Sequence, residues 1–185
     1  MRCSRILIYA GFMVLCLMVI NADALENLER AGYWGAIDFG AGYLQQSGDG
    51  FEYKETNFFL GFQGGYTLNK HFLLGLELSG WLLQSDDIVY KTKGEGISQV
   101  FLISRYYPSK DSGWFAKAGG GYVSHWRNRL GETERESGWG LTVGGGYDFS
   151  MSQKWALTPF VSYSYGETGN QNHEVFTLGI GVTFQ

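Results

Sequence analysis

The sequence predicts an all-β protein, an eight-stranded antiparallel up-and-down β-barrel that spans a membrane. Three observations predict it: eight segments alternate apolar with polar or small residues, nearly all of them begin or end on an aromatic residue, and short connections alternate with longer ones. Successive side chains of a strand point to opposite faces, so each segment has one apolar face. A membrane barrel turns that face toward lipid, whereas a soluble sandwich buries it in its core.

The alternation is clearest at the end of the chain, where Phe176, Leu178, Ile180, Val182 and Phe184 alternate with threonine and glycine. The eight predicted strands are residues 33–45, 56–66, 72–83, 96–107, 114–127, 138–149, 155–165 and 175–184. A tilted membrane-spanning strand needs about 9–11 residues, whereas strands of soluble proteins most often have about 5–6. The length of the segments therefore favours the membrane barrel.

The first four strands have large apolar residues at their predicted outward positions. These are Tyr33, Ile37, Phe39, Ala41 and Tyr43; Phe58, Leu60, Phe62 and Tyr66; Phe72, Leu74, Leu76, Leu78 and Leu82; and Val100, Leu102 and Tyr106. The fourth strand alternates least clearly, because Phe101 and Ile103 share its predicted inward face with Arg105.

The fifth, sixth and seventh strands continue the pattern with tryptophan or tyrosine near their ends. Their predicted outward residues are Trp114, Ala116, Ala118, Tyr122 and Trp126; Trp139, Leu141, Val143, Tyr147 and Phe149; and Trp155, Leu157, Val161, Tyr163 and Tyr165. The eighth strand is the terminal segment described above.

The predicted connections alternate in length. Residues 68–70, 108–113 and 150–154 read as tight turns, and residues 46–55, 85–95, 128–137 and 166–174 read as longer, charged loops. An even strand number with short turns at one end and longer loops at the other is typical of outer-membrane barrels. We call these two ends the turn end and the loop end, and we expect the loop end to face outward from the cell.

The first 24 residues read as a secretory signal peptide. Arg2 and Arg5 precede an apolar run over residues 6–20, and Ala22-Asp23-Ala24 offers a cleavage site. The barrel domain is therefore predicted over residues 25–185, and an uncleaved N-terminal anchor is the alternative. Cys3 and Cys16 both lie in the predicted signal, so the domain has no thiol chemistry.

Composition argues against nucleic acid as a partner, because the net charge is −4 and no basic patch is present. The 28 glycines and only 2 prolines fit many strands.

The predicted inward face holds five charged side chains: Asp38, Glu77, Arg105, Lys117 and Asp148. An unpaired charge in a narrow dry interior is very unfavourable, so we expect these groups to pair. Neighbouring strands would place Glu77 beside Arg105 and Lys117 beside Asp148. The network predicts a polar plug that keeps the barrel closed, and a gate or a proton path is the alternative.

The predicted interior also alternates glycine with large side chains. Eight strands enclose a space just wide enough for side chains or one small ligand. Large inward residues could fill the room that inward glycines leave; they are Phe59, Trp81, Phe101, Phe115 and Phe160. An open pore is therefore not expected.

Aromatic residues collect at both ends of the strands. At the turn end they are Tyr33, Tyr66, Phe72, Tyr106, Trp114, Tyr147, Trp155 and Phe184, and at the loop end they are Tyr43, Phe58, Trp126, Trp139, Tyr163 and Phe176. Amphipathic rings prefer the level of the lipid headgroups. The pattern predicts two aromatic girdles, for which a soluble sandwich offers no reason.

Together these features resemble the small eight-stranded outer-membrane proteins, the group that contains the barrel domain of outer membrane protein A. The resemblance is carried by the glycine-rich strands ending on tyrosine, residues 118–122 and 143–147, and by the terminal strand. It covers essentially all of the predicted domain and implies an interior ion network. Members usually end on the aromatic residue, whereas here Gln185 follows Phe184.

Some barrels of this size modify lipid A, but the residues here do not predict catalysis. Ser124 and His125 are neighbours on a strand, so they point to opposite faces and cannot act together as nucleophile and base. We expect His125 inward near the loop end and Ser124 toward lipid. His71 lies in a predicted turn and His173 in the last predicted loop, and the three histidines lack metal-ligand spacing. No catalytic residue, cofactor or metal is expected.

The predicted function is structural or interactive, through envelope integrity, adhesion or surface recognition in the outer membrane of a Gram-negative-type bacterium. The expected partners are outer-membrane lipid, the barrel-assembly machinery and an extracellular partner bound through the loops, and the expected state is a monomer. Two alternatives remain open: a narrow channel or carrier for a small apolar molecule, and a lipid A-modifying enzyme.

Overall fold

The predicted strands form one closed antiparallel barrel. A computed structural model describes residues 30–48, 51–83, 92–129, 132–169 and 171–185. Its strands are β1 (Tyr33–Gly48), β2 (Phe51–Asn69), β3 (Phe72–Leu83), β4 (Thr92–Tyr106), β5 (Trp114–Arg129), β6 (Glu132–Tyr147), β7 (Phe149–Ser150), β8 (Trp155–Thr168) and β9 (Gln171–Phe184). Strands that follow one another in the chain are neighbours in the sheet, and β1 pairs with β9 to close it.

The sixth strand of the wall is interrupted at one residue. In β6, Gly146 pairs with Phe160 of β8, and in β7, Phe149 pairs with Leu157 in the same register. Only Asp148 separates the two pieces, so β6 and β7 act as one strand of the wall. The barrel therefore has eight strands, and the predicted fold class is confirmed.

The tilt of the strands follows from the register. Following paired residues once around the wall from Tyr33 leads back to β1 at Tyr43, ten residues further along. An offset of ten over eight strands, with a rise of about 3.3 Å and a spacing of about 4.8 Å, tilts the strands by roughly 40°. At this tilt each residue climbs about 2.5 Å, so ten residues span about 25 Å, the height of the apolar band of such barrels.

The two faces of the wall agree with the alternation in the sequence. Even on β4, where the pattern was weakest, Leu102 and Tyr106 are 57% and 42% exposed, whereas Phe101, Ile103 and Arg105 are at most 1% exposed. The predicted assignment of faces on this strand is confirmed.

The predicted long loops are mostly strand. β1 runs to Gly48 and β2 begins at Phe51, β5 runs to Arg129 and β6 begins at Glu132, and β8 and β9 extend to residues 168 and 171. The predictions of loops over 46–55, 128–137 and 166–174 are therefore wrong. Beyond the bilayer both faces of a strand are polar, so the alternation disappears while the backbone hydrogen bonds continue.

Part of the fourth predicted loop is also strand, because β4 begins at Thr92; residues 84–91 lie outside the described residues. One predicted strand end differs slightly, since β4 ends at Tyr106, and the predicted sixth strand runs through the break at Asp148 into β7. At the turn end, the first tight turn is shifted toward residues 70–71, where the Asn69 side chain accepts hydrogen bonds from the backbone N–H groups of His71 and Phe72 at 2.9 and 3.1 Å.

The predicted signal peptide, residues 1–24, lies outside the described residues and stays a prediction. Within the described part of the chain, no helix is long and apolar enough to cross a bilayer.

Candidate functional site

The most polar region of the interior lies in the half of the barrel toward the turn end. The five charged residues predicted to face inward all lie there: Asp38 on β1, Glu77 on β3, Arg105 on β4, Lys117 on β5 and Asp148 between β6 and β7. Each is at most 6% exposed. Their positions on inward-facing sites of five strands bring them into one cluster.

The ion pairs in this cluster differ from the predicted ones. The Lys117 ammonium contacts the Glu77 carboxylate at 2.5 Å, with both side chains about 5% exposed. These two residues belong to β5 and β3, so their side chains meet in front of β4, which lies between them. Glu77 was expected to pair with Arg105, but the register sets Glu77 opposite Phe101, four residues from Arg105 on β4. The interior is narrow enough for Glu77 to meet Lys117 across β4 instead.

Arg105 is instead held by an amide and two rings. Its Nε and Nη2 donate to Gln63 Oε1 at 3.1 and 2.7 Å, and its guanidinium lies 4.7 Å from the ring centres of both Trp34 and Phe115. Gln63 Nε2 in turn donates to Asp38 Oδ2 at 2.5 Å. The Gln63 amide therefore bridges the Arg105 guanidinium and the Asp38 carboxylate through hydrogen bonds to both.

Gln63 was missed by sequence reasoning, which considered only formal charges. A signal was available, since Gln63 lies on the inward face of β2 between Gly61 and Gly65. A long polar residue flanked by glycines on an inward face has both the room and the need for a polar partner.

Asp148 closes the turn end of the barrel. Its two carboxylate oxygens accept hydrogen bonds from the Tyr107 hydroxyl and the Thr158 hydroxyl, both at 2.7 Å. The side-chain amide of Gln185 lies 3.4 Å from both Asp148 and Tyr107, and the Arg30 guanidinium lies 3.8 Å from the Tyr107 ring centre. Asp148 was expected to pair with Lys117 but instead sits at a break in the wall, where hydroxyl groups satisfy it. The extra C-terminal residue is part of this closure.

Little free space remains in the polar cluster. A cavity of about 10 Å³ lies among Asp38, Gln63, Arg105 and Lys117. This is about the smallest volume that can hold one water molecule. The cluster therefore fills the interior at its level.

Large aromatic side chains fill much of the remaining interior, as expected. Each of the five large inward residues lies against an inward glycine: Phe59 on Gly61, Trp81 on Gly42, Phe101 on Gly140, Phe115 on Gly146 and Phe160 on Gly179. Phe59 also contacts the rings of Trp81 and Phe160, with centres 5.3 and 5.9 Å apart. Phe115 lies beside Arg105 within the polar cluster, Phe160 borders the cluster, and Phe59 and Trp81 form an apolar layer above it.

The structure separates Ser124 from His125. His125 is buried in the interior, and its ring centre lies 5.3 Å from that of His173, whose Nε2 lies 2.7 Å from the Thr168 hydroxyl. His173 was predicted in a loop but is an inward residue of β9, because that strand is longer than expected. Ser124 is on the outward face yet fully buried, since the Arg135 side chain covers it.

Among the described residues, no group of three or more His, Cys, Asp or Glu side chains could hold a metal ion. His71 is a turn residue whose Nδ1 lies 2.8 Å from the Tyr107 carbonyl oxygen.

The aromatic residues at the turn end form pairs between neighbouring strands. The ring centres are 5.5 Å apart for Tyr33 and Tyr66, 4.9 Å for Phe72 and Tyr106, 5.2 Å for Trp114 and Tyr147, and 5.1 Å for Trp155 and Phe184. All eight predicted residues of this girdle are therefore in contact with another member, on the outward face of the wall.

The aromatic residues at the loop end form a second ring with a different membership. Tyr43, Phe58, Trp139, Tyr163 and Phe176 are exposed on the outward face. Tyr122 and Tyr165, which were not assigned to the girdle, lie at the same level, and the Tyr165 ring contacts Trp139. Trp126 lies four residues beyond Tyr122 on β5, and its ring folds over Gly96.

Comparison with solved structures shows the same fold in other outer-membrane proteins. Neisserial surface protein A is 16% identical, with a TM-score of 0.66 over 83% of this chain and 97% of that chain. Ail, the attachment invasion locus protein of Yersinia pestis, is 18% identical, with a TM-score of 0.55 over 83% and 99%. The N-terminal β-barrel domain of Pseudomonas aeruginosa OprF is 16% identical, with a TM-score of 0.53 over 84% and 98%.

No curated protein matches the sequence. A family model, however, matches nearly the whole of it: the outer membrane protein beta-barrel domain matches residues 12–184. This match and the shared fold place the protein in the outer membrane. The chain belongs to the outer membrane protein beta-barrel domain family.

Proposed function

We propose that this protein is a closed, non-conducting barrel with a structural or interactive role, in envelope integrity or in recognition at the cell surface. The filled interior carries the proposal. A polar cluster occupies the turn half, the rings of Phe59 and Trp81 occupy the level above it, and the Phe160 ring lies between the two. A path for ions would have to displace both layers, which are close-packed and hydrogen-bonded.

Conductance in planar bilayers tests this role against the channel alternative. We expect the purified protein to give no defined current steps. Trp81→Ala removes an interior ring and Trp139→Ala removes a lipid-facing ring of the same kind. Steps comparable to those of a porin that increase in Trp81→Ala but not in Trp139→Ala would assign a conducting interior and contradict the proposal. Steps that rise equally in both variants would indicate leakage around the barrel.

Attachment at the cell surface is a second candidate, supported by the length of the strands. β1 continues five residues past Tyr43 and β5 seven residues past Tyr122. At about 2.5 Å per residue these strands extend roughly 12 and 17 Å above the loop-end aromatic residues. Ail, which shares the fold, is an attachment protein by its name. Rigid hairpins of this length could present side chains to a partner outside the cell.

Adhesion of bacteria expressing the protein to cultured cells tests this second role. A variant lacking residues 46–53 shortens the β1–β2 hairpin while leaving the part between the girdles intact. We expect the full-length protein to increase adhesion over an empty vector and the short variant to lose the increase. Folding of the short variant is checked by its migration in an unheated gel. If the full-length protein adds no adhesion, attachment is excluded and envelope integrity remains.

We propose no lipid A-modifying activity. Ser124 and His125, the pair considered for this activity, lie on opposite faces of the wall. Ser124 is on the outward face beneath Arg135, and His125 is inside the barrel. Mass spectrometry of lipid A from expressing cells is expected to show no acyl change. A change that disappears in His125→Ala would contradict this assignment.

A further inference from the structure

The outward face carries an apolar groove of about 420 Å³ on β2, β3 and β4. Its walls include Phe58 and Leu60 on β2, Leu78 on β3 and Val100 on β4. The groove begins at the level of the loop-end aromatic residues and runs from there toward the middle of the wall. Because this face lies in the membrane, hydrocarbon chains of lipid are its surroundings.

The groove exists because the loop-end aromatic ring is interrupted there. Around the wall at this level the outward residues include Phe58, Tyr122 and Trp139, but on β3 and β4 they are Gly80 and Ser98, which pair directly with each other. Both small residues line the groove. Because Gly80 and Ser98 have little side-chain bulk, a neighbouring molecule can approach the backbone of the wall here. Small residues permit such close packing within a membrane.

A cation lies beside the upper end of the groove. The Trp126 ring folds over Gly96 and lines this end. Arg135 is the paired neighbour of Trp126 on β6, and its Nε donates to the Ser124 hydroxyl at 2.8 Å. Arg135 is exposed, and no carboxylate of the described residues forms an ion pair with it.

The level of Arg135 fits a lipid headgroup. Its backbone lies roughly 10 Å above the ring of aromatic side chains. The hydrogen bond to Ser124, which pairs with Ser98, brings the guanidinium down to the upper end of the groove. A guanidinium offers a planar set of donors that matches a phosphate with two parallel hydrogen bonds. The hydrogen bond to Ser124 uses Nε and directs the side chain toward the groove side of β6, leaving the terminal nitrogens for another partner.

We propose that this groove is a specific lipid site, in which one acyl chain of an outer-leaflet amphiphile lies over Gly80 and Ser98 and its headgroup, whose phosphate charge is not neutralised by a cation of its own, binds Arg135. The site depends only on the membrane location of the barrel and is separate from the structural or adhesive role. A chain in the groove contacts protein on several sides, whereas a chain on the smooth wall contacts it on one. The additional dispersion contacts and the ion pair together distinguish a bound lipid from the surrounding ones.

Native mass spectrometry tests the site with defined lipids. The folded protein is reconstituted in vesicles of phosphatidylcholine and phosphatidylglycerol with identical acyl chains and then released in mild detergent. We expect the wild-type protein to retain one lipid, with phosphatidylglycerol enriched about fivefold over its share of the vesicle. A wild-type protein that retains no lipid, or retains lipids in the proportion of the vesicle, would overturn the proposal.

Three variants separate the parts of the site. Ser98→Leu fills the groove and should lower the retained lipid about tenfold, whereas Ser104→Leu adds the same side chain on the outward face of the same strand and should leave it unchanged. Arg135→Gln should retain lipid but lose the preference for phosphatidylglycerol. Each variant is first shown to be folded by its unheated migration in a gel.

Other outcomes contradict the proposal in identifiable ways. Equal loss in Ser98→Leu and Ser104→Leu would mean that the lipid is bound elsewhere on the wall. If Arg135→Gln still prefers phosphatidylglycerol, Arg135 does not bind the headgroup and the proposal is wrong on that point. A change of oligomeric state in Ser98→Leu alone would assign the groove to a second copy of this chain instead of a lipid.

Discussion

At the scale of single residues, the buried ion pair between Lys117 and Glu77 has the largest expected effect. Removing one partner leaves the other charge buried without compensation, so Glu77→Leu or Lys117→Met should each lower the free energy of unfolding by about 3–5 kcal/mol. The double variant should cost clearly less than the sum of the two. Urea unfolding of the protein in lipid vesicles measures all four members of this cycle, and additive effects would show that the two groups do not interact.

The depth of an outward residue between the two aromatic girdles determines how much a charged substitution there lowers the free energy of unfolding. Ile180 is four residues from both Phe176 and Phe184, so it lies near the bilayer midplane, and Ile180→Arg should cost about 2–4 kcal/mol of unfolding free energy. Leu141 is only two residues from Trp139 and lies nearer the interface, so Leu141→Arg should cost less. The same unfolding measurement tests both, and equal costs would show that the two side chains lie at the same depth.

At the scale of the strands, contacts between inward glycines and aromatic rings determine how closely the wall can pack. A Cβ at Gly42 would collide with the Trp81 ring, whereas a Cβ at Gly64, on the outward face, would have its nearest neighbour at 3.6 Å. Alternation alone predicted that large inward residues would fill the room left by glycine, but for Trp81 and Phe101 the glycine lies two strands away. Only the closed barrel shows that Trp81 of β3 lies on Gly42 of β1.

Substitutions at these two glycines test the packing. Gly42→Ala should destabilise the barrel by about 1–3 kcal/mol, because overpacking forces the ring to move. Gly64→Ala should be neutral or slightly stabilising, since alanine has less backbone freedom to lose. Trp81→Phe combined with Gly42→Ala should recover part of the loss, as measured by urea unfolding. A loss that is equal at both glycines would reflect the backbone and not the ring.

The ends of the strands were the part of each element that the sequence did not predict. Residues such as Gln46 and His173 lie in strands because neighbouring backbones continue to pair above the membrane. There the side chains on both faces are polar, so no apolar alternation marks the strand. The same extension moved His173 from a predicted loop to the interior, beside His125.

At the scale of the whole molecule, the pairing of β1 with β9 closes the wall. A closed barrel has no free edge, and its hydrogen bonds break only together. The unheated protein in dodecyl sulfate should therefore migrate differently from the boiled protein. Failure to show this shift, together with recovery in a soluble fraction, would contradict a membrane barrel.

A substitution where β1 meets β9 tests whether this pairing causes the difference in migration. Gly40 of β1 pairs with Gly179 of β9, and a Cβ at Gly40 would collide with the backbone carbonyl of Leu178. Gly40→Val should prevent closure and abolish the difference between unheated and boiled samples. Gly64→Val should retain it, because its side chain enters lipid. Retention of the shift in Gly40→Val would mean that the closing pair tolerates a larger separation.

Local patterns in the sequence are enough to predict the wall of this barrel. Strand number, the face of each strand and the level of the turn-end aromatic residues follow from local alternation, because lipid and interior impose opposite requirements on successive side chains. The tertiary structure alone decided the partners across the interior: Lys117 with Glu77, Arg105 with Gln63, and Asp148 with Tyr107 and Thr158. It also decided the groove over Gly80 and Ser98. These contacts depend on register and closure, which bring together residues far apart in the chain, and no local pattern encodes that arrangement.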